Sequence, residues 1–95
     1  MYIISLTYKV PTEEVDPYLD AHISFLNEQY ANGTFLASGR KVPRTGGIIL
    51  AQSESKEKLQ KIVEQDPFYE YGIADIEIIE FNVTKAATGF ENLLD

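Results

Sequence analysis

Thr34 to Gln52, TFLASGRKVPRTGGIILAQ, is the stretch on which the fold turns. Thr34 to Lys41 and Gly47 to Gln52 both carry strand-forming residues, and Pro43 to Gly47 between them supplies proline and glycine for a turn. A hairpin follows. Outward from it, Tyr2, Ile4, Leu6, Tyr8 and Val10 fall on one parity while Ser5, Thr7 and Lys9 fall on the other, a first strand that Pro11 ends. Asp16-Pro17 reads as the start of a first helix, because Asp accepts from first-turn amides and Pro gives up no donor needed there. Asn32-Gly33 reads as its left-handed stop. Ser55 caps a second helix that turns Leu59, Ile62 and Val63 inward and stops near Asp66, since Pro67 disfavours helical geometry in the residue before it. A short turn from Pro67 to Gly72 leads to a last strand, Ile73 to Val83, and Thr84 to Asp95 is a tail whose Phe90, Leu93 and Leu94 can dock elsewhere.

The order is β-α-β-β-α-β, and short connections with right-handed crossovers turn it into an α+β, ferredoxin-like, four-stranded antiparallel sheet with both helices on one face. No repeat or linker interrupts it, so residues 1–95 read as one domain with a core over 1–83. Both parities of the third and fourth strands are apolar: Ile48 and Leu50 oppose Ile49 and Ala51, and Ile76 and Ile78 oppose Ile73, Ile79, Phe81 and Val83. Two helices cover one face only. The expectation is a homodimer through the other face; the alternative is that the tail folds back over it.

Fifteen acidic against eight basic residues give a net charge of −7, which repels nucleic acid and anionic lipid, so neither partner is expected. Without cysteine there is no disulfide, no thiolate nucleophile and no cysteine-based zinc site. No apolar run approaches the roughly 20 residues of a membrane span, and the first residues enter a strand rather than a signal-like apolar stretch, which makes the cytoplasm the default location.

The first helix has an inward stripe of Val15, Leu19, Ile23, Leu26 and Tyr30, with His22 about 60° from its centre. On the second helix the inward line continues to Asp66, a carboxylate where a core residue belongs and at the negative end of a helix, so it needs a donor. Antiparallel helices bring His22 and Asp66 within reach. A carboxylate on one ring nitrogen fixes the tautomer and leaves the other nitrogen to exchange protons with a substrate. Against this, Asp66-Pro67 repeats the cap signature of Asp16-Pro17, and His22 at a stripe margin needs no role.

The segment Ala37 to Gly47 holds both arginines, and Ser38, Gly39 and Arg40 offer a fork and close-approach donors to an anion or phenolate, although a hairpin demands the same glycines. Tyr8, Phe25, Phe68 and Tyr71 either line an apolar pocket or fill the core. With one histidine and no phosphate loop or metal-ligand cluster, no metal or nucleotide cofactor is implied.

Ala21-His22-Ile23-Ser24-Phe25-Leu26, Phe35 to Arg40 leading to Gly46-Gly47-Ile48-Ile49-Leu50-Ala51, and Asp66-Pro67-Phe68 together resemble the YCII-related family over nearly the whole chain to Val83. The resemblance implies a dimeric α+β barrel, an active pair at His22 and Asp66, and a cleft beside them that takes a small molecule. Some relatives act on chlorinated hydroxylated aromatics, which implies lyase-type proton removal with loss of chloride; a non-catalytic ligand-binding or assembly module is the competing expectation.

Overall fold

The computed structural model describes residues 1–95. Its elements are β1 (Tyr2–Tyr8), α1 (Thr12–Val15), a 3-10 turn (Asp16–Tyr18), α2 (Leu19–Ala31), β2 (Phe35–Arg40), β3 (Gly46–Ala51), α3 (Lys56–Val63), α4 (Pro67–Glu70) and β4 (Ala74–Glu80), with a second 3-10 turn at Glu91–Leu93. The sheet order β2-β3-β1-β4, with every neighbouring pair antiparallel, is the ferredoxin-like arrangement expected from the element order.

Directly paired residues of antiparallel strands share a face. Ile4 stands opposite Ile49 and Ile78, and Leu6 opposite Gly47 and Ile76, so these rows make one continuous apolar face. Phe25 of α2, Leu59 and Val63 of α3 and Phe68 of α4 join Tyr2, Ile4, Leu6, Ile49 and Ala51 in a single buried cluster, which puts the helices together on that face. The other face carries Ile3, Ile48, Leu50 and Ile79, and Phe81 continues it beyond β4. Ile48, Ile79 and Phe81 are 38%, 45% and 38% exposed, so the tail does not cover this face. The tail closes on its own start instead: the Val83 N–H donates to the Asp95 carboxylate at 2.7 Å, and the Asp95 N–H donates back to the Val83 carbonyl at 3.1 Å. That amide, opposed by desolvation and helped by the terminal ammonium group, holds the Asp95 carboxyl below its ordinary value.

Several boundaries differ from the sequence reading, and two differences move the site. The helical segment begins at Thr12, not at Asp16-Pro17, and Asp16 makes no cap bond there. Proline has no N–H to give, and the chain tightens into a 3-10 turn around it. Three residues at three per turn advance about 60° further than three α-helical residues. This rotates α2 so that Phe25 and Gln29 lie buried beneath Val15, while Ile23 and Tyr30, expected inward, are exposed. His22 moves from the margin of the buried stripe into it.

The second difference is a register shift in β2. Phe35 pairs with Ala51 but Ala37 pairs with Leu50, leaving Leu36 as the extra residue of a bulge. Beyond it Ser38 stands opposite Ile49 and Arg40 opposite Gly47, on the helix-covered face. Without the bulge, Phe35 and Arg40 would have opposite parity; with it, Phe35 enters the core and Ser38 and Arg40 still face the helices. The strands at the two ends are also shorter than expected, β1 stopping at Tyr8 and β4 running from Ala74 to Glu80.

Candidate active site

α3 ends at Val63, and Asp66 then takes an extended conformation (φ −64°, ψ 127°) as the N-cap of α4, with Pro67 in the first turn. Asp before Pro encodes this locally: the proline pushes Asp66 out of the helical region, and the short side chain reaches the free amide beyond it. The Phe68 N–H donates to Asp66 Oδ1 at 2.9 Å. The carboxylate thus meets the donor end of α4, the cap role that Asp66-Pro67 offered as the alternative to a place at the negative end of the preceding helix. It is fully buried, and its second oxygen, Oδ2, has no partner.

From α2, forty-four residues away in sequence, the His22 ring reaches the same oxygen, with Nδ1 2.8 Å from Asp66 Oδ1. An ionised carboxylate only accepts, so Nδ1 carries the hydrogen and the neutral ring leaves Nε2 as a lone-pair acceptor. The ring also lies flat on Phe68, centroids 4.0 Å apart and planes within 5°. Phe68 in turn meets Tyr8 edge-on at 5.9 Å. Hydrogen bond and stacking together fix the ring in position and plane. Asp66 therefore serves both readings that the sequence left open, since one oxygen caps α4 and orients His22.

His22 forms part of the wall of a cavity of about 400 Å³ between α2 and the sheet, and Nε2 makes no hydrogen bond within the chain. Leu6, Leu19, Leu26 and Ile49 make much of the lining apolar, and Ser38, Gly39, Arg40 and Phe68 all contribute to it. That volume lies in the range of small-ligand sites. The Ser38 hydroxyl is in short contact with the Tyr30 hydroxyl. Arg40 is exposed and makes no ion pair. Of the four aromatics weighed for the pocket, Tyr8 and Phe68 line it, Phe25 is core packed edge-on against Phe35, and Tyr71 lies outside beside Tyr18.

One lining residue escaped the sequence reading. Arg44 donates through Nη2 to Asp16 Oδ1 at 2.7 Å, and its guanidinium carbon lies 5.9 Å from the centre of the Tyr8 ring. The Asp16 carboxylate pushes the guanidinium further above its already high value. Its Nε is buried without an acceptor. Only the basic character of the loop hinted at it; the pairing with Asp16, read as a helix cap, spans twenty-eight residues and has no local signature. No three His, Cys, Asp or Glu side chains lie close enough together to hold a metal, and no helix is long and apolar enough to cross a membrane.

A ferredoxin-like α+β protein with a half-buried His paired to a buried Asp at the wall of an apolar cavity is the class that fold and site define. The profile of the YCII-related domain matches residues 1–82, and the chain belongs to that family. Among solved structures it is similar to 5-chloro-2-hydroxyhydroquinone dehydrochlorinase (TftG) from Burkholderia phenoliruptrix AC1100 in complex with 2,5-dihydroxybenzoquinone. That likeness has a TM-score of 0.67 and 20% identity, over 86% of this chain and 94% of the other. No protein of curated function matches significantly.

Proposed function

We propose that this protein is a small-molecule enzyme of lyase-like type, in which His22 transfers protons at a phenolic or otherwise acidic substrate. The observation that carries it is the His22 ring at the cavity wall, held through Nδ1 by buried Asp66 and with Nε2 unpaired within the chain. Nε2 takes a proton from an O–H or C–H of the bound molecule. The electron pair left behind delocalises into the ring or expels a leaving group such as halide, and the imidazolium so formed lies 2.8 Å from the Asp66 carboxylate that stabilises it. Ser38, Gly39, Arg40 and Phe68 hold the substrate. The neighbour's dehydrochlorinase activity and its quinone ligand support a reaction of this class. These steps draw on no cofactor.

The test is a screen of chlorinated phenols, hydroquinones and small aromatic acids with the unmodified protein, His22→Ala and Asp66→Asn. Turnover slowed at least about tenfold by each change is the expected result; turnover that neither change slows sinks the assignment. Binding of such compounds with no turnover at all favours a ligand-binding module, a reading to which the capping role of Asp66 lends support. We also propose a homodimer through the exposed apolar face of Ile3, Ile48, Leu50, Ile79 and Phe81, since single chains rarely leave so contiguous an apolar surface to water.

A further inference from the structure

We propose that Arg44, not Arg40, selects the ligand's charge, so that the cavity takes small planar aromatic or enolic compounds as monoanions, charged oxygen at Arg44 and exchangeable proton at His22. This deepens the proton-transfer reading and rests on it for the second half alone. In a chain of net charge −7, two guanidinium groups at one apolar cavity are a local reversal of sign. The two differ in how they are held. Arg40 is exposed, unpaired and free to change rotamer, so fixing it on a ligand costs side-chain entropy. Arg44 is already ordered: Asp16 grips Nη2 from the outer side, and the Tyr8 ring lies against the guanidinium.

Asp16 does not cancel the charge seen from inside. Its side chain is 56% exposed, so water screens the carboxylate, while the Arg44 side chain is 29% exposed. A guanidinium has five N–H donors, and Asp16 occupies one. Nε–H is buried without an acceptor, so the donors offered to a carboxylate or phenolate oxygen in the cavity are those on Nη1 and Nη2 that Asp16 leaves free, on a residue that lines the cavity. The Asp16–Arg44 pair and the Asp66–His22 pair share one design, a carboxylate positioning a nitrogen group that lines the cavity. One supplies a fixed charge and the other a transferable proton.

The experiment titrates isotopically labelled protein with benzoate and with benzamide, which share ring and size and differ in charge, and reads dissociation constants from amide shifts. We expect benzoate to bind at least about tenfold more tightly than benzamide. Arg44→Met abolishes the preference, Arg40→Met weakens benzoate and benzamide alike and so keeps the preference, and Asp16→Asn, which keeps the guanidinium but releases its tether, gives an intermediate loss. Should Arg44→Met fail to show a folded amide spectrum, Arg44→Gln is read by the same criterion. Equal affinity for the two compounds, no benzoate binding up to about 10 mM, or a preference that survives loss of Arg44 overturns the proposal. His22→Ala is expected to leave the benzoate preference intact. A charge preference without turnover on any compound therefore refutes proton transfer while leaving the anion site standing, and the reverse result does the opposite.

Discussion

Replacing His22 by asparagine and by alanine separates the bond to Asp66 from everything else the imidazole does. The ring makes two contacts of consequence, the 2.8 Å hydrogen bond from Nδ1 to Asp66 Oδ1 and the 4.0 Å stack on Phe68. A hydrogen bond to a buried charged group contributes about 1.5–3 kcal/mol, and an aromatic stack about 0.5–1.5 kcal/mol. Solvent takes little from the first, because the side chains of His22 and Asp66 are only 13% and 1% exposed. His22→Ala removes both contacts and is expected to cost roughly 2–4 kcal/mol. The amide nitrogen of asparagine can occupy the place of Nδ1, so His22→Asn keeps the bond, loses the stack, and is expected to cost about 1 kcal/mol. In a domain of this size the gap corresponds to roughly 10 °C in melting temperature. Urea unfolding of both variants, alone and combined with Asp66→Ala, measures it; without the carboxylate the gap is expected to shrink below about 0.5 kcal/mol. Equal losses for asparagine and alanine, or a gap unchanged in the absence of Asp66, refute the claim that the two groups are energetically coupled. Neither variant retains Nε2, so both are expected to lack proton transfer however stable they are.

A Cβ at Gly46 would sit 1.8 Å from the Leu6 carbonyl oxygen, backbone that cannot step aside, whereas one at Gly39 meets nothing within 4 Å. Gly46→Ala is therefore expected to lose about 3 kcal/mol and Gly39→Ala less than about 0.5 kcal/mol in thermal unfolding; similar values for both would mean that β1 and β3 are not so closely packed. If the open sheet faces pair, light scattering at tens of micromolar gives twice the chain mass, and Ile79→Glu, a buried charge in the dimer only, halves it. A single-chain mass for the unmodified protein dismisses the dimer.

Local chemistry wrote much of this structure where it can be read residue by residue. Period-two alternation over Tyr2 to Val10, turn residues between Arg40 and Gly47, and the caps at Ser55 and Gly33 act between neighbours in the chain, and the strand order follows from them with little freedom left. The extended Asp66 ahead of Pro67 is local too, and the carboxylate is legible in the sequence both as the continuation of the inward line of Leu59, Ile62 and Val63 and as a cap signature. Tertiary packing decided the rest. Asp16-Pro17 carries the same signature as Asp66-Pro67, yet only Asp66 caps a helix; the helical segment around Asp16 starts at Thr12, and its carboxylate goes to Arg44. The rotation of α2 that turns His22 toward Asp66 and the bulge at Leu36 that turns Ser38 and Arg40 toward the helices depend on how elements distant in sequence fit against one another. A single 3-10 turn or one extra strand residue shifts the facing of everything after it, and which shift prevails is set by the fit of the whole core, a sum over contacts that no single stretch of the sequence contains.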